Sequence, residues 1–289
     1  MLNVCNIILV LSIITLIILI LNIPKIIRRD ERDMEGMIYT FTGKHPKNTQ
    51  GSEKHLKIPR NIIQTVPDKT KVSNEIKENM LKLKHMNPNW NYYLYDDNEI
   101  MSFITSNYPE LLPSYLKINH AYGPARADFF RYLIVFHIGG VYLDSKSGII
   151  KPLDDILLPS DTFVFQLSGN YVHPVDIKYF NGKELNQWFI VSTARNPIIK
   201  KVIDDMLKNI NDPENIDYYG KLGVLRLTGP IMYTNSVASV LTHFSSRRIK
   251  PDSISLGGFV YNNILKTDYR TSYSNKPHYS TLKIPILYP

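Results

Sequence analysis

The sequence predicts an α/β domain, a mostly parallel sheet with helices on both faces, behind an N-terminal membrane-spanning helix. Three observations carry this. From Ile58 onward, short strand-like runs alternate with longer runs of helical spacing, the pattern of a sheet covered by helices. The chain is 44% hydrophobic and 21% charged, a globular composition that excludes a disordered or fibrous chain. Its first 23 residues carry no charged side chain.

Taken in order, Met1 to Ile23 reads as an uncleaved anchor. Ile7 to Leu21 is nearly all Ile, Leu and Val, broken by Ser12 and Thr15, which can bond back to their own helix. At about 1.5 Å per residue the run reaches roughly 35 Å, enough for a hydrocarbon core of about 30 Å. A signal peptide would have a basic start, a shorter apolar run and a small-residue cleavage site, and none is present. Residues 24–57 mix charges with Gly, Pro, Ser and Asn and read as a stem.

The body, residues 58–289, begins with a strand at Asn61 to Val66 between two prolines. A helix follows from Val72 to Met86, spaced through Val72, Ile76, Met80 and Leu83 and ended by Asn87-Pro88. Asn91 to Tyr95 alternates as a strand, which puts about half of Trp90, Tyr92, Tyr93 and Tyr95 in the core. Asp97 to Asn107 is a helix behind an Asp cap. A longer helix spans Pro124 to His137, with Phe129, Leu133 and Phe136 on one face, and stops at Gly139-Gly140. Val141 to Leu143 is a short strand ending in Asp144. Strands are expected near Thr162 to Gln166 and Phe189 to Val191, and helices at Pro197 to Ile210 and Pro230 to Leu241. Asp154 and Asp155 read as helix-capping residues, Gly257-Gly258 as a turn, and Arg247 to Lys250 as a solvated charge run.

Composition narrows the chemistry. Lys and Arg number 34 against 26 Asp and Glu, a net charge of +8. That excess suits anionic ligands or a membrane surface and is too small to demand nucleic acid. Cys5 is the one cysteine, so an intrachain disulfide and a cysteine-based zinc site are excluded. The eight histidines show no HExxH spacing. The chemistry gathers between Ala125 and Gly148, where Asp128 and Arg131 share a helix face and Asp144 emerges at a strand end. Ligands on such sheets sit at the carboxyl ends of strands. Residue type alone leaves open a plain ion pair and an ordinary turn aspartate.

Four ordered motifs carry a resemblance. Ile58-Pro59-Arg60-Asn61-Ile62-Ile63-Gln64-Thr65-Val66 is the first; Asn87 to Asp97 is the second; Ala121 to Lys146 is the third; Thr228-Gly229-Pro230 is the fourth. Over about residues 58–242 the chain resembles the family 32 glycosyltransferases, the group with a DXD-containing sugar-binding region that includes the yeast initiating α-1,6-mannosyltransferase. A more distant likeness is to clostridial glucosylating toxins. The resemblance implies a GT-A-like fold with a mixed, mostly parallel sheet, a nucleotide-sugar donor, a glycan, lipid or protein acceptor, and transfer with retention. It implies that Asp128 and Arg131 contact the donor sugar, that Thr65 and Val66 face the nucleotide, and that Asp144 is the first DXD aspartate beside ribose and metal. A carboxylate and a guanidinium suit those roles, as acceptor from sugar hydroxyls and donor to phosphate oxygens.

Departures from the pattern matter as much. The second DXD aspartate is Lys146, the motif aromatic is Val66 and the motif histidine is Ile63. A protonated ammonium cannot ligate a metal. Either Lys146 supplies the cation beside the diphosphate, with Asp144 and Lys146 as the catalytic pair, or the site is degraded and the protein binds a donor without turnover. A third reading, a membrane scaffold with no nucleotide, leaves the four motifs unexplained. A Mn or Mg ion implied by the family would draw on Asp144 and on His278, the only histidine late enough to complete a shell. Orientation stays open. Lys25, Arg28, Arg29 and Arg32 favour a cytosolic body, as does the lack of any N-glycosylation acceptor, whereas the resemblance implies a Golgi-type or ER-type lumen.

Overall fold

The computed structural model describes residues 55–212, 219–250, 257–264 and 279–288. The anchor expected at residues 1–23, nearly all of the stem, and His278 lie outside the described residues. Among the described residues no helix is long and apolar enough to cross a membrane.

The central sheet has six strands. In chain order they are β1 (Asn61–Thr65), β2 (Asn91–Tyr95), β3 (Gly140–Leu143), β5 (Phe163–Phe165), β8 (Phe189–Ser192) and β9 (Arg247–Arg248). Their order across the sheet is β2-β1-β3-β8-β5-β9. β1 pairs in parallel with β2 and β3, and β5 with β9, while β8 runs antiparallel between β3 and β5. Five strands therefore share one direction, which makes the sheet mixed and mostly parallel. Two small pairs lie outside it: β4 (Gly148–Ile149) with β10 (Phe259–Val260), and β6 (Leu167–Val172) with β7 (Lys183–Leu185).

The two-residue alternation of a strand sends side chains into two separate cores. Ile63, Tyr142, Phe163, Phe165 and Ile190 face one core. There they meet helices α2 (Asp97–Asn107), α4 (Gly123–Ile138), α6 (Pro197–Asn211) and α8 (Pro230–Val240). Ile62, Val141, Leu143, Val164, Phe189 and Val191 face the other, with Leu83 of α1 (Asn74–Met86), Trp90 and Phe259. Helices thus cover both faces. Tyr93 and Tyr95 pack against the first core and Tyr92 against the second, as the alternation requires.

Local signals set the boundaries. Asp96 caps α2 in a capping box with Glu99, its carboxylate accepting from Glu99 N–H at 3.0 Å. α4 ends at Gly139, and the turn into β3 needs two glycines. Their φ angles are +66° and +114°, and a Cβ on either would sit 2.5 Å from Ala194 N or 2.4 Å from Asn61 O. Shorter elements went unread in the sequence: α3 (Leu112–Lys117), α5 (Leu153–Ile156) and α7 (Gly220–Leu227).

Two expectations are corrected. Arg247 and Arg248 form the edge strand β9, and Arg247 chelates Asp161 through Nε–Oδ1 and Nη2–Oδ2 contacts of 2.7 and 2.6 Å, so Arg247 is not part of a solvated run, whereas Arg248 and Lys250 are exposed. The cap position before α5 is Pro152; Asp154 and Asp155 lie in its first turn, and Asp154 pairs with Arg60 at 3.3 Å.

Candidate active site

The tight turn at Gly139-Gly140 folds β3 back along α4. From Arg131 to the helix end is about 11 Å, and from Gly140 to Asp144 is about 13 Å. The first half of α4 therefore lies beside the carboxyl end of β3, and residues 13 to 16 apart in sequence become neighbours. Arg131 Nη2 bridges Asp128 Oδ1 at 3.1 Å and Asp144 Oδ1 at 3.0 Å. Asp128 and Arg131 are buried, at 3% and 5% exposure, whereas the Asp144 side chain is 27% exposed. The cluster is closed at the helix and open at the strand end.

Both carboxylate oxygens of Asp128 are engaged. Thr228 Oγ1 donates to its Oδ2 at 2.9 Å, and Gln187 Nε2 donates to its Oδ1 at 3.2 Å. Gln187 is tied in turn: its backbone carbonyl accepts from Arg131 Nη1 at 2.8 Å, and its side-chain oxygen accepts from the Tyr132 hydroxyl. The Arg131 guanidinium lies 4.8 Å over the Tyr142 ring. Burial pushes the Asp128 carboxyl up to about 6, against the pull of Arg131 and Thr228. Burial works against the Arg131 charge too, but Asp144, Tyr142 and Asp128 outweigh it and raise its pKa. Arg131 Nε is buried without a hydrogen-bond partner.

Thr65 ends β1 and reaches the cluster through Tyr142, their hydroxyls 3.0 Å apart; the Tyr142 hydroxyl also donates to Asp144 Oδ1 at 3.3 Å. Val66 is buried, with its N–H donated to Tyr95 carbonyl at 2.9 Å, and its side chain does not join the ion-pair cluster. Gln64, fully buried, accepts from the Tyr92 hydroxyl at 2.5 Å and donates to the Asp144 carbonyl at 3.2 Å.

The turn carrying Lys146 is built from its own carbonyls. Ser147 N–H donates to Asp144 carbonyl at 2.7 Å, Asn79 Nδ2 donates to the Ser145 and Ser147 carbonyls at 3.1 and 2.9 Å, and Asn263 N–H donates to Lys146 carbonyl at 2.7 Å. With the backbone fixed, the Lys146 ammonium lies 5.4 Å from the Tyr261 ring centre. Burial lowers its pKa, partly offset by Asp144.

Asp128, Arg131, Asp144 and Thr65 therefore converge, with Lys146 two residues along the same turn. Gln187, Tyr142 and Asn79 belong to the site and were not singled out from sequence. Tyr142 stood inside the third motif; Gln187 and Asn79 are ordinary polar residues until the fold places them.

A divalent metal would need several hard oxygen or imidazole donors. Among the described residues no group of three or more His, Cys, Asp or Glu could hold one. Position 146 is an ammonium, and Asp144 Oδ1 is already engaged by Arg131 and Tyr142. The described donors do not make a metal shell.

The site thus combines a mixed sheet, a strand-end carboxylate and a buried Arg–Asp cluster. Residues 73–164 match the family described as glycosyltransferase sugar-binding region containing DXD motif, a match that holds Asp128, Arg131 and Asp144. The chain is 31% identical to inositol phosphoceramide mannosyltransferase 1 of Schizosaccharomyces pombe, over 53% of this chain and 44% of that one. It is 28% identical to a mannosyl phosphorylinositol ceramide synthase of Saccharomyces cerevisiae, over 64% and 50%. An initiation-specific alpha-1,6-mannosyltransferase of S. pombe is 24% identical over 68% and 52%. The chain thus spans about half the length of the curated relatives it matches. Among solved structures, the PaToxG glycosyltransferase aligns with a TM-score of 0.48 at 19% identity, over 64% of this chain and 70% of that one.

Proposed function

We propose that the protein transfers a hexose, mannose by the kinship of its relatives, from a nucleotide-sugar to an acceptor hydroxyl with retention of configuration. The observation that carries this is the Arg131 guanidinium bridging buried Asp128 and half-open Asp144 inside the sugar-binding region. Asp128 accepts hydrogen bonds from sugar hydroxyls, and Arg131 sets its position. Asp144 and Thr65 stand at the strand ends where ribose and diphosphate arrive, and the backbone at Val66 borders the nucleotide. As the bond from the anomeric carbon to the diphosphate breaks, negative charge grows on the leaving oxygens. Lys146, a compact point charge, balances it where the family has a carboxylate and a Mn or Mg ion.

The acceptor that fits best is a lipid with an inositol-containing headgroup, since two relatives are named for phosphoinositol ceramide. Residues 1–23 as a membrane anchor on a stem to 57, ahead of a catalytic domain at 58–289 in a secretory-pathway membrane, complete the proposal. The second reading, a donor-binding homologue without turnover, has one observation in its favour: an ammonium in place of the second aspartate.

A donor-cleavage screen over common nucleotide-sugars, with Mn²⁺ or with chelator, separates the two. Activity in wild type is expected to survive chelator. Lys146→Ala is expected to lose about 100-fold to 1,000-fold in kcat, the usual cost of one preorganised charge partner. Lys146→Asp should make the surviving activity depend on Mn²⁺. Full activity in Lys146→Ala, or complete inhibition of wild type by chelator, would sink the Lys146 assignment. Saturable donor binding without cleavage would establish the inactive reading.

A further inference from the structure

The hairpin joining β6 to β7 presents apolar side chains to water although the fold offers them a core. Ile177 in its middle is buried at 2% exposure, while Val175 two residues earlier is 89% exposed. Val172 is 49% exposed and Tyr179 39%. Leu222, 39% exposed on α7, extends the same surface, because it stands one turn before Arg226, which binds the hairpin's Asp176 at 2.8 Å.

The tip is rigid. His173 N–H donates to Gly182 carbonyl at 2.7 Å, Lys178 N–H donates to Asn235 Oδ1 at 3.2 Å, and Asn235 Nδ2 donates to Asp176 carbonyl at 2.8 Å. Phe180, Asn181 and Gly182 take left-handed φ angles of 52°, 54° and 78°. A hairpin this constrained holds Val175 outward by construction.

Its charges sort by sign. Both hairpin acids are turned inward and paired, Asp176 with Arg226 and Glu184 with His173 at 3.3 Å. The exposed charges on the hairpin, Lys178 and Lys183, are both cationic. A basic, tyrosine-bearing apolar tip is the composition that settles at a lipid interface, apolar groups at the acyl boundary and ammonium groups among anionic headgroups.

We infer that this hairpin is a membrane-contacting surface for an anionic lipid face. β7 leads directly to Gln187, and α7 ends at Thr228, the two residues that clamp Asp128, so a hairpin seated on lipid holds the sugar site beside the headgroups.

The test uses the full chain in nanodiscs and needs no turnover. In a Cys5→Ser background, Val175→Cys carries an environment-sensitive NBD label, and Ser102→Cys, exposed on α2, carries the control. With discs of phosphatidylcholine plus about one-third phosphatidylinositol, a blue shift and a several-fold rise in emission are expected at 175 and absent at 102. Adding Lys178→Glu and Lys183→Glu should weaken immersion by about 25-fold or more, since each lysine near such a surface contributes roughly fivefold. No shift at 175, or an equal shift at 102, overturns the inference. A shift that needs only higher protein concentration and no lipid overturns it too, by showing that a second copy covers the tip. Loss of donor cleavage leaves this readout untouched, so the two proposals fail separately.

Discussion

Two arginine–aspartate clusters, one buried and one half-exposed at its arginine, stand at different places on this sheet, and they are built differently. At the β9 edge, Arg247 grips Asp161 through two parallel contacts, and its Nη2 also donates to Ile156 carbonyl at 3.1 Å. Asp161 completes its bonding with Leu158 N–H at 2.8 Å. One cation meets one anion, in the fork geometry that suits guanidinium and carboxylate. At the carboxyl end of β3, one guanidinium serves two carboxylates, keeps a buried Nε without a partner, and leaves one carboxylate partly in solvent. The first arrangement is complete as it stands. The second carries one carboxylate more than its cation matches, which under the proposed function leaves acceptor oxygens for a polyhydroxylated sugar.

The strongest break in that contrast is Arg131→Met. It leaves Asp128 buried without its cation and Asp144 without its bridge. Removing one partner of a buried pair costs about 3–5 kcal/mol, so urea denaturation should show a loss of that order together with abolished donor cleavage. A wild-type denaturation midpoint would show that the bridge does not hold the site.

Asp128→Asn separates chemistry from stability. Thr228 and Gln187 can still bond an amide, so the fold is kept and the variant should be the more stable of the two at neutral pH, while donor cleavage falls by about 100-fold or more. The pH dependence has a fixed sign. The folded carboxyl sits near 6, above its unfolded value, so the folded state holds its proton longer. Wild-type stability therefore falls as pH rises from about 4 through about 6, and the Asn variant escapes that fall. Donor binding should run the other way, lost as pH drops through about 6 and Asp128 protonates. Titration calorimetry and denaturation across pH 4–8 read both limbs; a wild-type binding profile flat through pH 6 would remove Asp128 from the charge balance of the site.

Arg247→Lys is the mild arm. An ammonium cannot reproduce the two-point grip, and a loss of about 1–2 kcal/mol in stability is expected, with kcat and KM unchanged once the protein is folded. A selective loss of kcat there would show that the β9 edge is coupled to the sugar site after all.

Much of this was legible in the chain. Asn91 to Tyr95 and Asp97 to Asn107 were read with the boundaries the structure gives, because alternation and an aspartate cap act within a few residues. Gly139-Gly140 announced the turn, because only glycine fits those backbone angles beside Ala194 and Asn61. The pairing of Asp128 with Arg131 followed from helical spacing. What local pattern could not give was anything that depends on meeting across the fold. Arg247 looked like part of a solvated run because Asp161 lies 86 residues away. Gln187 became part of the site only when β8 placed its start beside α4. The β6–β7 hairpin stayed unread, although Asn181-Gly182 is a turn dipeptide, because the loop between its strands is long and β7 spans only three residues. Sequence by itself determined the local elements and the residue types that reach the strand ends, since propensity, periodicity and capping act over one or two turns. Tertiary structure alone decided which arginine is satisfied and which is shared, because burial and the count of partners around a charge are properties of the packed chain.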